Sequence, residues 1–387
     1  MMMMTTMIAA GLLGQASGGG YSIDRDRLKM ANNRLRNHIH RGNLAGAVTL
    51  VFLDGKVVSH ESFGWSDLES KTLMKRDTIF QVMSMTKPVT AAAVMICVER
   101  GLLSLDDPVE RYLPQFEGIQ VKGEDGELRA PSSRMTIRHL VSHTSGLASD
   151  DPGGISDEDK SKLTLGEYAK LLGTEPLRSD PGTVIRYSGV GFSTAAAIIE
   201  VVTGRKFDEF VGAEIFVPLG MKETFFFLPE RLRPRLAQVY TKDKGALTPF
   251  GHDRYRVGAK FANGAGGLYS TAADMGRFME AFAGGNRKSA LSPRGLDVMT
   301  RLQTGNLLSD GNDGRGYGVG WSVVRGSLGQ GTLRSVGSFG HTGAFGTEFW
   351  HDRETGISLV FLAQTFFISE DARRQYATMV NASLMKE

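Results

Sequence analysis

Ser84-Met85-Thr86-Lys87 places a hydroxyl and an amine three residues apart, directly ahead of the apolar run Val89 to Val98. Residues at that spacing share one face of a helix. A helix beginning near Ser84 sets the hydroxyl among unpaired backbone N–H groups at its positive end, with the lysine stem folded back beside it. A lysine amine that is neutral, or nearly so, takes a serine proton without any histidine. The chemistry on offer is therefore nucleophilic attack by Ser84. The competing account is an N-cap serine with a surface lysine, and spacing alone leaves both open. The same spacing recurs at Ser383 and Lys386. There a solvated tail is expected, because no apolar helix follows and chain ends are rarely tied down.

Other residues offer weaker chemistry. Gly191-Phe192-Ser193-Thr194-Ala195 approximates a nucleophile elbow, but no strong strand precedes it and its fifth residue is alanine; a capping serine is the simpler account. His139 and His143 stand four apart, as zinc-binding pairs do, yet the glutamate that should follow the first histidine is absent. Structural histidines are expected, and no metal. Gly314 to Gly320 is glycine-rich without joining a strand to a helix, so it reads as a strand needing close backbone approach. Gly264-Ala265-Gly266-Gly267 reads likewise, at the floor of a cleft. Phe225-Phe226-Phe227 fits a core cluster better than an acyl pocket.

The elements that must position Ser84 follow from periodicity. Leu28, Ala31, Leu35 and Ile39 give one apolar face to a helix over 24–41. Ala47 to Leu53 and Val57 to Phe63 flank Asp54-Gly55, a strong hairpin signal. The helix after Ser84 is apolar all round, hence central, and Gly101 stops it. From 101 to about 250 the texture is mostly helical. It includes a helix from Thr136 to His143 ended at Ser145-Gly146, and another from Ser193 to Val202 stopped at Gly204. Strand patterns then return. Thr271 caps a helix over 272–282, with Asp274 in the capping-box position. Phe345 to Trp350 and Ile357 to Ala363 form a second hairpin, and Ser369 to Met385 closes the chain as a helix.

The expected fold is α/β (α+β): an antiparallel sheet built from both chain ends, flanked by helices, with an inserted helical domain and a site in the crevice between them. The boundaries read as a loosely ordered tail over 1–22, an α/β domain over 23–102 and 251–387, and a helical domain over 103–250.

Composition narrows the function. The 45 basic and 42 acidic residues are interspersed, so the net charge of +3 gives no stripe for nucleic acid. No stretch of about 18 apolar residues suggests a membrane span. A single cysteine, Cys97, lies in the apolar run and reads as a core thiol. The apolar segment Ile8 to Gly14 is short and follows no basic residue, a poor signal peptide. Cytoplasmic placement is expected, with a periplasmic or secreted location as the alternative. The oligomeric state is left open.

Ser84-Met85-Thr86-Lys87, Tyr187-Ser188-Gly189 and His341-Thr342-Gly343 occur in order. With Thr78-Ile79-Phe80, Leu102 to Pro108, His143-Thr144-Ser145-Gly146-Leu147, Phe216 to Met221 and Gly266 to Thr271, this chain resembles the serine β-lactamase and penicillin-binding-protein superfamily from about Asp24 onward. Within it the chain looks most like the family VIII carboxylesterases, relatives of the class C β-lactamases.

The resemblance implies Ser84 as nucleophile, Lys87 and Tyr187 sharing the proton work in an order it leaves open, and an oxyanion hole from the backbone N–H groups of Ser84 and Ala344. It implies substrate contacts from His341, Thr342, Gly343 and the Gly189 position, and no cofactor. Two departures bear on substrate. Superfamily members that bind lactams usually carry Asn where Gly189 stands and Lys where His341 stands. The groups that recognise an amide and a carboxylate are thus missing together. A short-chain neutral ester, a small molecule, fits what remains. The alternatives are a β-lactamase or D-alanyl-D-alanine peptidase, an acyltransferase to an alcohol other than water, and a non-catalytic sensor on the same fold.

Overall fold

The computed structural model describes residues 20–251, 259–284, 289–307, 314–326, 332–366 and 370–387. Its centre is an eight-stranded antiparallel sheet. In chain order the strands are β1 (Gly46–Leu53), β2 (Lys56–Asp67), β3 (Thr72–Leu73), β4 (Arg315–Tyr317), β5 (Ser322–Val324), β6 (Phe339–Gly343), β7 (Thr347–His351) and β8 (Ile357–Ala363). Their spatial order is β4-β5-β6-β7-β8-β1-β2-β3. The two hairpins meet in the middle, where β8 and β1 pair from Ile357↔Leu53 to Ala363↔Ala47. Both chain ends therefore supply the sheet.

Period-two alternation decides what packs on each face. Val48, Leu50 and Phe52 of β1, with Val360 and Leu362 of β8, face the main core. Ala47 and Val51, with Leu359 and Phe361, face the other way. They meet Leu28, Ala31 and Leu35 of helix α1 (Arg25–His40) and Ala372, Tyr376 and Val380 of the closing helix over 370–381. Asp24 caps α1 by accepting from the amides of Asp26 and Arg27. Asp54 and Gly55 both take positive φ, 50° and 73°, as the tight turn between β1 and β2 requires.

On the main-core side lies helix α2 (Thr86–Glu99), in which every residue from Thr86 to Cys97 is buried. It packs against helix α3 (Val190–Thr203), which ends at Gly204 with φ 64°, and shares the main core with helix α4 (Ala272–Phe282), which lies on β8, β7 and β1. Thr271 caps α4, but the Asp274 carboxylate does not reach back to it. It accepts instead from the Glu223 amide and the Thr224 hydroxyl and pairs with Arg277.

Four expectations are corrected. The stretch between 101 and 250 carries two small hairpins among its helices, Val121–Lys122 with Leu128–Arg129 and Tyr240–Asp243 with Ala246–Pro249. The second turns on Lys244-Gly245, both at positive φ, a pair with less turn bias than Asp-Gly. The helix after Thr136 stops at Val141, before Ser145-Gly146, because His143 takes φ 61° and turns the chain away. The chain end is no solvated tail: Leu384–Lys386 pairs with Tyr21–Ile23, and Ser383 is fully buried with its hydroxyl on the Val380 carbonyl. That pairing also ties down Tyr21 and Ser22, within the expected loose tail. The segment Ile8 to Gly14 and residue Ser369 lie outside the described residues.

Candidate active site

Ser84 does not open the α-helix directly. It sits in a single 3₁₀ turn, Met83–Met85, that feeds α2, with Met83 at φ 51°. Non-glycine residues take that region at a cost, so the surroundings must hold the turn in place. Three hydroxyls do so. Thr86 donates to the Met83 carbonyl at 2.7 Å and accepts from the Leu268 amide at 3.2 Å. Thr347 donates to the Val82 carbonyl at 2.9 Å, and Thr90 to the Gly264 carbonyl at 2.6 Å.

Close approach of backbone completes the frame. A Cβ on Gly343 would stand 2.4 Å from the Val82 carbonyl oxygen and 2.2 Å from the Thr347 hydroxyl. One on Gly320, at φ 79°, would stand 2.3 Å from the Ala91 methyl. The glycine-rich stretch before β5 is thus where the sheet edge touches α2. Gly320→Ala is expected to lower stability by about 2 kcal/mol or more and to lower Tm; thermal unfolding of the purified variant checks this.

The Lys87 side chain runs inward and is 2% exposed. Its Nζ lies 2.9 Å from Ser84 Oγ and donates to the Ala265 carbonyl at 2.8 Å. Among the described residues no carboxylate offsets it, and burial pulls its amine down to about 7. Tyr187 approaches from the loop before α3. Its hydroxyl shares a hydrogen bond with Ser84, and its ring centroid lies 4.8 Å from Lys87 Nζ. The residue as a whole is 42% exposed, while its hydroxyl end is buried. Desolvation pushes the phenol up to about 12, against the opposing effects of Ser84 and Arg315. At neutral pH the pair is thus an amine that is neutral in much of the population and a protonated phenol.

His341 lies on β6 with its ring centroid 6.2 Å from that of Tyr187, and is 3% exposed. Its Nδ1 is 2.8 Å from the Thr342 carbonyl. A carbonyl only accepts, so Nδ1 carries the proton and Nε2 a lone pair. Burial, then the charge of Lys87, pull the imidazole down to about 3, so His341 is neutral at neutral pH. Thr342 is half-buried, and Ala344 is exposed at the turn that follows β6. Gly189 precedes α3, and the Cβ it lacks would face Ala265 at 3.4 Å.

The rival residues fall elsewhere. Ser193 is buried within α3, where the hydroxyl near the helix start is that of Ser188, bonded to the Gly191 amide and the Ala148 carbonyl. His139 Nδ1 accepts from the Thr136 amide in a capping box. Phe226 packs with Phe207 and Phe216 in the core. Among the described residues no cluster of His, Cys, Asp and Glu could hold a metal. Sequence reasoning missed three groups at the site: the Ala265 carbonyl, Arg315 and the ring of His143 stacked on Tyr187. The stretch that carries the first reads as the floor of a cleft, but a backbone carbonyl has no residue-type signature. The other two depend on tertiary placement, although His143 did stand inside a quoted motif.

The family sequence model described as Beta-lactamase matches residues 31–383. The chain belongs to the beta-lactamase family. Among relatives in that family, esterase EstB of Burkholderia gladioli is 30% identical over 351 residues, 84% of this chain and 87% of EstB. The solved structure of EstCE1, described as a hydrolase with promiscuous acyltransferase activity, superposes with a TM-score of 0.80 at 25% identity, covering 92% of this chain and 99% of EstCE1. Simvastatin synthase (LovD) from Aspergillus terreus shares the fold, with a TM-score of 0.75 at 22% identity over 92% of this chain and 98% of LovD. This beta-lactamase family member is a serine hydrolase. No described helix of it is long and apolar enough to cross a membrane.

Proposed function

We propose that the protein is a serine carboxylesterase of the family VIII type, hydrolysing short-chain neutral esters through an acyl-Ser84 intermediate. One observation carries this reading. The Ser84–Lys87–Tyr187 contact is complete, while the position beside it that would engage a carboxylate holds a buried, neutral His341. The similarity to EstB and EstCE1 supports it.

In this reading Lys87 is the first base. Its amine uses one N–H on Ala265 and, when neutral, turns its lone pair to the Ser84 hydroxyl. As Oγ attacks the ester carbonyl carbon, its proton passes to Nζ. The carbonyl oxygen gains charge between the backbone N–H groups of Ser84 and Ala344, where one such donor contributes roughly 3–4 kcal/mol. Tyr187, protonated, gives its proton to the departing alkoxide and recovers one from Lys87. Water then enters where the alcohol left, and the same groups return the protons in reverse.

The pH dependence has a definite sign. A base must be unprotonated, and the Lys87 amine sits near 7, so kcat/KM for p-nitrophenyl butyrate should fall tenfold per unit below about pH 7. Above pH 7 it should be level, because the phenol stays protonated to about 12. A profile measured from pH 5 to 9 that stays flat through the acid range removes Lys87 as base.

His341→Lys places beside Tyr187 the lysine that lactam-binding superfamily members usually carry. It should lower KM for an anionic cephalosporin severalfold while leaving that for the neutral ester unchanged; equal KM values for the cephalosporin contradict the carboxylate argument. Acyl transfer to an added alcohol is the second reading, favoured by the description of EstCE1. It is measured as butyl ester formed against butyrate released in aqueous butanol.

A further inference from the structure

Tyr187 is the exposed member of the cluster, 42% open to solvent, against 2% for Lys87. A ring at a rim would sample several rotamers unless something held it. His143 meets its ring and both residues that flank it. Its imidazole stacks on the Tyr187 ring with centroids 4.4 Å apart and planes at 27°. Its carbonyl accepts from the Arg186 amide at 2.8 Å, and its Nδ1 from the Ser188 amide at 3.0 Å, the residues immediately before and after Tyr187. Tyr317 braces the imidazole edge-on at 4.5 Å, and Phe192 at 5.1 Å.

We infer that His143 is a positioning residue, which keeps the Tyr187 phenol in reach of Ser84 by fixing both peptide flanks and the ring of Tyr187 at once. This rests on the reading that Tyr187 moves protons for Ser84.

Two other roles fail on the geometry. His143 is 0% exposed, so it cannot touch substrate. An amide only donates, so Nδ1 is the acceptor and Nε2 carries the proton. No lone pair is left for base work, and burial holds the imidazole neutral. Packing alone does not explain the residue either. Nε2–H is buried without an acceptor among the described residues, a donor that a phenylalanine filling the same space would not carry. What phenylalanine lacks is the acceptor for Ser188 and tolerance of φ 61°, a region where His and Asn are enriched.

The test is a double-mutant cycle on p-nitrophenyl butyrate, with His143→Phe and His143→Asn each made in the natural and Tyr187→Phe backgrounds. His143→Phe should lower kcat about 100-fold with KM within about twofold, a typical loss for misplaced proton transfer. His143→Asn, whose Oδ1 can take the Ser188 amide, should recover about tenfold of that loss. With Tyr187 already replaced, either change should cost less than about threefold, the mark of residues acting through one another. Equal losses in both backgrounds, or losses confined to KM, overturn the inference. If His143→Phe fails to fold, the same criteria apply to His143→Asn alone. Turnover that survives Ser84→Ala overturns the functional reading instead, so the two failures are distinguishable.

Discussion

Ser84→Ala is expected to reduce turnover of p-nitrophenyl butyrate by roughly 10⁴-fold or more, the scale on which removing a nucleophile acts. The fold should be unaffected. The hydroxyl's described partners are Lys87 and Tyr187, and the 3₁₀ turn that carries it is held by Thr86 and Thr347 rather than by Ser84 itself. Tm and the circular dichroism spectrum should therefore match those of the natural protein. Loss of activity with loss of fold would leave Ser84→Cys as the comparison, which keeps the side-chain size and should retain slow acylation. Unaltered hydrolysis by well-folded Ser84→Ala takes Ser84 out of the reaction.

Lys87→Met should have the next largest effect, a fall of about 10³-fold in kcat, since a positioned general base contributes roughly 10²–10⁴. The same change should raise stability. An amine held near 7 in the folded chain, against its ordinary value of 10.5, is more protonated in the unfolded chain throughout the interval between. Unfolding is therefore favoured there by proton uptake, and stability climbs as pH rises from about 7 toward 10. At pH 7 and below the penalty is on the order of a few kcal/mol, taking about 1.4 kcal/mol per unit. Methionine has similar length and no charge to desolvate. A higher Tm at pH 7 with lost activity is the expected pairing, a site whose function costs stability. Chemical denaturation at pH 7 and 9 checks the sign: the natural protein should gain stability between them, and Lys87→Met should gain less. A Lys87→Met protein destabilised at pH 7 contradicts an uncompensated buried amine.

Much of this arrangement is legible in the amino-acid sequence. The apolar run after Lys87 reads as a central helix because no polar face interrupts it, and every residue from Thr86 to Cys97 is buried. Asp54-Gly55 reads as a hairpin because its φ values suit few other pairs. What stayed hidden is long-range. Tyr21–Ile23 and Leu384–Lys386 are short, lie at opposite ends of the chain and are strands only because they meet. The Tyr240–Pro249 hairpin turns on Lys244-Gly245, which carries weak local bias. At the site, the spacing of Ser84 and Lys87 predicted their contact, but the order of the proton work depended on burial. Lys87 is desolvated with no counter-charge among the described residues, and the Tyr187 phenol stays protonated. His143 showed in the sequence as half of a failed metal pair and as the start of a family motif, but with no role, because its contacts are with a tyrosine brought to it by the tertiary fold.

The most direct measurement is mass spectrometry of protein quenched with acid during turnover of p-nitrophenyl butyrate. A butyryl group on the peptide carrying Ser84, absent from Ser84→Ala and forming more slowly at pH 5.5 than at pH 7.5, is the predicted result. A butyryl group on any other residue, or acylation of Ser84 as fast at pH 5.5 as at pH 7.5, contradicts a serine activated by a neutral Lys87.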